Sequence, residues 1–222
     1  MSIHGATRIE RDPAGAAVAP MTAEQQRQLR GMMARFATGV AVVAARHGPL
    51  LAGMTANAIA SVSIDPPLMM ASISRKSETH VAIVGSHSFA VSVLSEDQRV
   101  LAECFAQPTT AGKLQRFCDA PWHEAETGSP ILDGAIAFFD CRLYESHATG
   151  THTMFIGEIV AAGYEEGVEP LLWFGSRYRS IAADAVEGWA PTAASDSEMT
   201  PMAVSTSSSV VTSGGMTRTT CP

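Results

Sequence analysis

Two polar clusters interrupt otherwise apolar stretches of this 222-residue sequence. The first lies in Gly53-Met54-Thr55-Ala56-Asn57-Ala58-Ile59-Ala60-Ser61-Val62-Ser63. Thr55 and Asn57 offer a hydroxyl and an amide just past an expected strand end. Ser61 and Ser63, on either side of Val62, stand two apart, so extended backbone would turn both hydroxyls one way. Such a surface can hydrogen-bond the edge of a planar heterocycle while small side chains let its face approach. The second cluster is Ser72, Ser74, Arg75, Lys76, Ser77 and Thr79, where a strand runs into a helix start. Hydroxyls, two cations and helix-end amides together make a phosphate seat. Taken alone, the first cluster is also an ordinary polar turn, and the second a capped helix with solvated charges.

Other common signatures are missing. There is no G-x-G-x-x-G, no G-x-x-x-x-G-K-[ST] and no G-x-S-x-G, so the usual dinucleotide loop, triphosphate loop and hydrolase elbow fail together. Phosphates can still be held by turn amides and hydroxyls outside a Gly-rich loop. The net charge is -7, from 15 Lys+Arg against 22 Asp+Glu. No basic block exists to track a phosphate backbone, which argues against a nucleic-acid partner. No stretch is apolar for the roughly 18 residues of a membrane span, and MSIHGATRIERDPAG lacks the apolar segment of a secretory signal. These readings predict a cytoplasmic protein without a membrane partner. Cys104, Cys118, Cys141 and Cys221 lack C-x-x-C spacing, so buried free thiols and no metal site are expected.

The elements that must position the two clusters follow from periodicity. Residues 1–21 and 189–222 are low in apolar pattern and read as flexible tails, leaving 22–188 as the folded domain. Thr22 followed by Gln25 predicts a capping box, and Leu29, Met32, Met33 and Phe36 continue an amphipathic helix to about Gly39. Strands are expected over Val40 to Arg46 and Leu50 to Thr55, joined by His47-Gly48-Pro49, and over Leu68 to Ser74 after the break at Ile64-Asp65-Pro66-Pro67. Ser77 should cap a helix through Val84, followed by a strand from Phe89 to Leu94 and a helix from Ser95 to about Phe105. Two long strands, Ala135 to His147 and His152 to Tyr164, precede a short one at Leu171 to Phe174. Strands dominate and neighbours look hairpin-connected, which predicts a mainly β, antiparallel barrel with a few peripheral helices.

GMTANAIASVSIDPPLMMASIS, then SFAVSVLSEDQ, KLQRF, GSPILDGAIAFFDCRL, GTHTMFIGEI and PLLWFGSRYRSI together resemble the short-chain flavin reductases, the reductase components of two-component flavin-dependent monooxygenases. The resemblance covers about Leu29 to Ile181. It implies a homodimeric split β-barrel that binds FMN or FAD, takes hydride from NADH or NADPH and supplies reduced flavin to a separate monooxygenase. By the same resemblance Met54, Thr55, Ala56 and Asn57 lie along the isoalloxazine, and Ser61, Val62 and Ser63 lie near the ribityl chain. Ser72, Ser74, Ser77 and Thr79 fall where the family holds the flavin phosphate. Gly150-Thr151-His152 matches the family's G-D-H, whose histidine approaches the pyridine nucleotide, and Arg177 and Tyr178 match its nucleotide-facing G-R-Y region.

Three positions depart from the family pattern. Thr151 stands in place of Asp, Ser92 in place of the frequent Asn, and Ala58 in place of a common Ser. Losing the Asp removes a carboxylate partner for His152. Hydride transfer needs nicotinamide C4 within roughly 3–3.5 Å of flavin N5, so the protein's task is to stack two rings and exclude water. His152 is therefore expected to position nicotinamide rather than act as an acid or base. Thr151 motivates the alternative, a flavin-binding or storage protein on the same barrel without reductase activity.

Overall fold

The computed structural model describes residues 21–107 and 117–181. The proposed tails, apart from Met21, lie outside these residues, as do 108–116 and 182–188; of the K-L-Q-R-F motif only Phe117 is described. Helix α1 (Ala23–Met33) begins with the anticipated capping box, the Thr22 hydroxyl accepting from Gln25 N and the Gln25 side chain accepting from Thr22 N. Strands β1 (Thr38–Gly39), β2 (Ala41–His47), β3 (Leu50–Ala56), β4 (Ile59–Ser63) and β5 (Leu68–Ser74) follow, then α2 (Glu78–Ser86) and β6 (Ser88–Val93). A 3₁₀ turn at Glu96–Gln98 leads into α3 (Arg99–Ala106), and a second one lies at Phe117–Asp119. The remaining strands are β7 (Trp122–Glu124), β8 (Pro130–Leu132), β9 (Ala137–Thr149), β10 (His152–Tyr164), β11 (Leu172–Phe174) and β12 (Arg177–Arg179).

One seven-stranded antiparallel sheet carries the fold, in the order β3-β2-β6-β9-β10-β5-β4. Hydrogen bonding stops at β3 and β4, so the sheet is split rather than closed. A three-stranded sheet β1-β11-β12 and a ribbon β7-β8 flank it. Central β2 explains why VAVVAA reads as an unbroken apolar run. Ala41, Val43 and Ala45 enter one core with Ile73, Phe89, Val91 and Phe155, while Val40, Val42 and Ala44 enter a second with Leu94, Phe105, Phe117 and Leu132. A strand covered on both faces needs apolar residues at every position. Gly157 on β10 is there because a Cβ would come within 2.6 Å of the Phe89 ring and 2.7 Å of Cys141 Cβ.

Several expectations are corrected. Helix α1 ends at Met33 rather than near Gly39 and buries none of its residues; Met33 and Phe36 are 67% and 76% exposed. The periodicity predicts no separate element at Ile59–Ser63, yet this segment is an edge strand, its backbone pairing with β5. Cys104 and Cys118 form a disulfide rather than staying free. Their spacing carries no sign of it, since contact depends on how α3 and the Phe117–Asp119 turn meet. Cys141 is free and buried as expected, and burial first, then Asp140, pushes its thiol up. Ser92, the departure from Asn, is also buried; its hydroxyl accepts from Leu132 N at 3.0 Å and fastens the β7-β8 ribbon to β6.

Candidate active site

The β2-β3 hairpin delivers Met54 to Asn57 to the edge of the sheet. Met54 is half-buried against the first core and Ala56 is buried. The Thr55 hydroxyl donates to the Ala102 carbonyl of α3 at 2.6 Å. That hydroxyl is committed to the fold, so the segment offers a ligand its backbone, small side chains and Asn57. The Asn57 side chain donates to the Thr38 hydroxyl at 3.2 Å. Beneath lies Gly53, where a Cβ would stand 2.9 Å from the Phe105 ring and 3.0 Å from Phe117. These two rings meet edge to face at 4.9 Å, and the Cys104–Cys118 bond joins the elements that carry them.

Ala58 accepts from Ser72 N at 2.9 Å, which sets the end of the Met54–Asn57 segment beside β5. Ser72 and Ser74 are half-buried on the face of β5 opposite the core residues Ala71 and Ile73. Where β5 ends, the Ser74 carbonyl accepts from Ser77 N at 3.0 Å and from the Ser77 hydroxyl at 2.8 Å. The Ser77 hydroxyl in turn accepts from His80 N at 3.1 Å, capping α2. Lys76 N points to the Ser74 hydroxyl at 3.4 Å. Arg75 and Lys76 are exposed, whereas Thr79 is buried at 2% exposure. Serine hydroxyls, two cations and the α2 amino end thus share one corner, a donor set suited to a phosphate ester.

Strand β10 brings His152 to this corner, directly opposite Ser74. The β9-β10 turn is held from β5: the Arg75 guanidinium donates to the Gly150 carbonyl, and Arg75 N donates to the Thr151 carbonyl at 3.1 Å. The Thr151 hydroxyl lies 2.9 Å from His152 Nδ1. A hydroxyl therefore stands beside the imidazole where a carboxylate partner was expected to be lost. Next along, Thr153 Oγ1 sits 2.9 Å from Nε2 of His80, whose ring lies 5.2 Å from Phe155. Burial chiefly, and Arg75 second, hold the His80 pKa below its ordinary value.

Two predicted groups lie apart from that corner. Ser61 and Ser63 face Met69 and Leu68, with Val62 as the bulged residue between them. Their partners Met69 and Leu68 are thus about 16 Å and about 20 Å along β5 from Ser74 at about 3.3 Å per residue, and the bulge breaks the simple alternation on which their common facing rests. Arg177 and Tyr178 stand on β12. The Tyr178 ring packs on Trp173 at 5.0 Å and under the Arg99 guanidinium at 5.5 Å. Burial first and Glu103 second raise its pKa, with Arg99 opposing. A cleft of about 480 Å³ beside it is lined by Glu96, Asp97, Arg99, Tyr178 and Arg179, among others. The connection to Asn57 runs through β1, where Thr38 pairs with Trp173.

Sequence reasoning missed Thr38 and His80. Thr38 carries no local signal, because its partner is 19 residues away. His80 has one, since it lies three residues after the capping Ser77. Among the described residues no group of three or more His, Cys, Asp or Glu could hold a metal, and no helix is long and apolar enough to cross a membrane.

Residues 33–182 match the model of the flavin reductase like domain. The chain is 38% identical over 157 residues to the FMN reductase (NADH) SmoA of Agrobacterium fabrum, covering 70% of this chain and 86% of that one. Among solved structures it is similar to the NADH:FAD oxidoreductase SgcE6 of Streptomyces globisporus in complex with NAD and FAD fragments. That match has a TM-score of 0.68 and 33% identity over 75% of this chain and 99% of the other. The styrene monooxygenase flavin reductase of Pseudomonas putida S12 matches with a TM-score of 0.62 and 33% identity over 71% and 99% of the two chains.

Proposed function

The chain belongs to the flavin reductase like domain family, and from that membership we propose that it moves hydride from NADH to FMN or FAD and releases the reduced flavin to a separate monooxygenase. The observation that carries this reading is the continuity of one strip: Asn57 and Ala58 lead to Ser72 and Ser74, then to Ser77 on one side and His152 on the other. An elongated flavin fits such a strip, with its ring at the Thr55–Asn57 end and its phosphate at the Ser72–Ser77 end. Bound flavin supplies the ring that accepts the hydride.

The chain's own residues bind and orient. Backbone groups of Met54, Thr55 and Ala56, with the Asn57 side chain, meet the ring edge, and Ala56 and Ala58 leave its face open. Ser72 and Ser74 hold the phosphate with Lys76 at the amino end of α2, which the Ser77 hydroxyl, already donating to the Ser74 carbonyl, caps and keeps in place, and Thr79 is buried in the first turn of that helix. Ser61, Val62 and Ser63 line the outer edge along β4. His152, oriented through Thr151, meets nicotinamide, and Arg177 and Tyr178 face the rest of the nucleotide. No side chain is required to exchange a proton. The reductase names of the relatives and the Thr151 hydroxyl that partners His152 in place of a carboxylate both favour turnover over flavin storage.

The acting form is a homodimer, which the exposed Met33 and Phe36 on and beyond an α1 that buries nothing support. We place it in the cytoplasm, where a Cys104–Cys118 pair would be kept largely reduced. NADH oxidation on adding FMN or FAD tests the activity. Absence of turnover with either flavin and either nicotinamide nucleotide would sink the reading, and sedimentation as a monomer would sink the dimer.

A further inference from the structure

Arg75 joins two parts of the strip that otherwise belong to different ligands. Its residue neighbours, Ser74 and Ser77, form the phosphate corner, while its guanidinium holds the Gly150 carbonyl and its N–H holds the Thr151 carbonyl. The turn it grips is the two-residue link of the β9-β10 hairpin, next to His152, which pairs with Thr149 on one side and Ser74 on the other. Gly150 has a φ of +57° and no atom within 4 Å of where its Cβ would be, and Thr151 and His152 are exposed. A guanidinium has five N–H donors in a rigid fork, so one can hold a carbonyl while others meet an anion.

We propose that Arg75 is a positioning residue that couples the flavin phosphate to His152, so that a phosphate-bearing flavin presents the histidine to nicotinamide and a flavin without phosphate does not. The inference rests on the reading that flavin phosphate lies at Ser74 and Ser77. A phosphate there draws the free side of the fork into charge-assisted hydrogen bonds and stiffens the grip on Gly150. Thr151 follows, and with it the Nδ1 partner that orients the His152 ring. Because coupling between two sites is reciprocal, NADH should also tighten FMN more than it tightens riboflavin.

The test compares the KM for NADH at saturating FMN and at saturating riboflavin, in the wild-type protein, Arg75→Ala and Arg75→Lys. The expected wild-type KM is at least about 5-fold lower with FMN, the lower end of ordinary coupling between sites. In Arg75→Ala the ratio falls to about one, and in Arg75→Lys, which keeps the charge but loses the fork, it falls most of the way. A purely structural arginine would raise KM equally with both flavins and leave the ratio in place. Equal wild-type KM values with the two flavins, or a ratio that survives in Arg75→Ala, would overturn the coupling while leaving the reductase reading intact. Turnover with neither flavin would instead overturn the reductase reading. If Arg75→Ala does not fold, the wild-type ratio together with Arg75→Lys decides the matter.

Discussion

The two ends of the proposed flavin strip, a ring end and a phosphate end in that proposal, are held in place by different means. At the ring end the Thr55 hydroxyl reaches a carbonyl 47 residues away and the Asn57 amide a hydroxyl 19 residues away, above a stack of Phe105 and Phe117 stapled by a disulfide. At the phosphate end Ser74, Ser77 and His80 bond one another across three residues each, in the turn that starts α2. The ring end is thus a product of tertiary packing and the phosphate seat a product of local backbone chemistry. Damage to the core should spread to the first and spare the second.

The largest break is expected from Phe105→Ala. Phe105 is 2% exposed, and truncating a buried Phe costs about 3–5 kcal/mol. Urea unfolding should report that loss, and the KM for flavin should rise because α3 no longer fixes Ala102 under Thr55. An unchanged flavin KM in a folded, destabilised variant would break the comparison. Cys104→Ser comes next. Under oxidising conditions it should cost about 3 kcal/mol, the usual effect of closing a loop of this size, and added thiol should weaken the wild-type protein but not the variant. Phe117, Cys118 and Asp119 all have positive φ, from 46° to 58°, a left-handed turn unfavourable for residues other than glycine. Releasing the bond lets that turn relax and should again loosen the ring end first.

The same contrast decides what the sequence reveals. Thr22 with Gln25, Ser77 before α2, the β2-β3 and β9-β10 hairpins and the alternation of β5 are all legible, because each arises from residues close in the chain or from a period of two. Strands β1, β7, β8 and β12 have two or three residues each, too few for any period to show. In the site, Ser74 stands opposite His152 and bonds Ser77, a juxtaposition of two motifs that the sequence assigns to different ligands. The Thr55 hydroxyl was expected to face a ligand and instead faces α3, an outcome set by where a helix 47 residues on comes to rest. The disulfide was illegible for the same reason.

A matched pair of small substitutions sharpens the contrast. Ser77→Ala removes a helix cap and Thr55→Val removes one hydrogen bond with little change of shape; each should cost about 1 kcal/mol of stability. Their effects on ligands should differ. Ser77→Ala should raise the KM for FMN several-fold and leave that for riboflavin unchanged, since only FMN carries a phosphate. Thr55→Val should raise both alike. A Ser77→Ala variant that weakens both flavins equally would mean that the phosphate does not sit at the α2 start.

The smallest expected effect is in pH, and it also divides the molecule. His80 has its pKa held below the ordinary 6.5, by burial and then by Arg75. The unfolded chain therefore takes up its proton first as pH falls. Stability contributed at this position is complete above about 6.5 and is lost as pH drops through the lowered folded value. Tyr178, beyond the ring end, has its pKa raised above 10.0, chiefly by burial. There the unfolded chain loses its proton first, so stability falls as pH climbs past 10.0 toward the folded value. Unfolding midpoints across pH should show an acid decline that His80→Gln shallows and an alkaline decline that Tyr178→Phe shallows. If His80→Gln leaves the acid limb unchanged, the imidazole is not the group that links Thr153 to the start of α2, and the phosphate end loses its connection to β10 at that point.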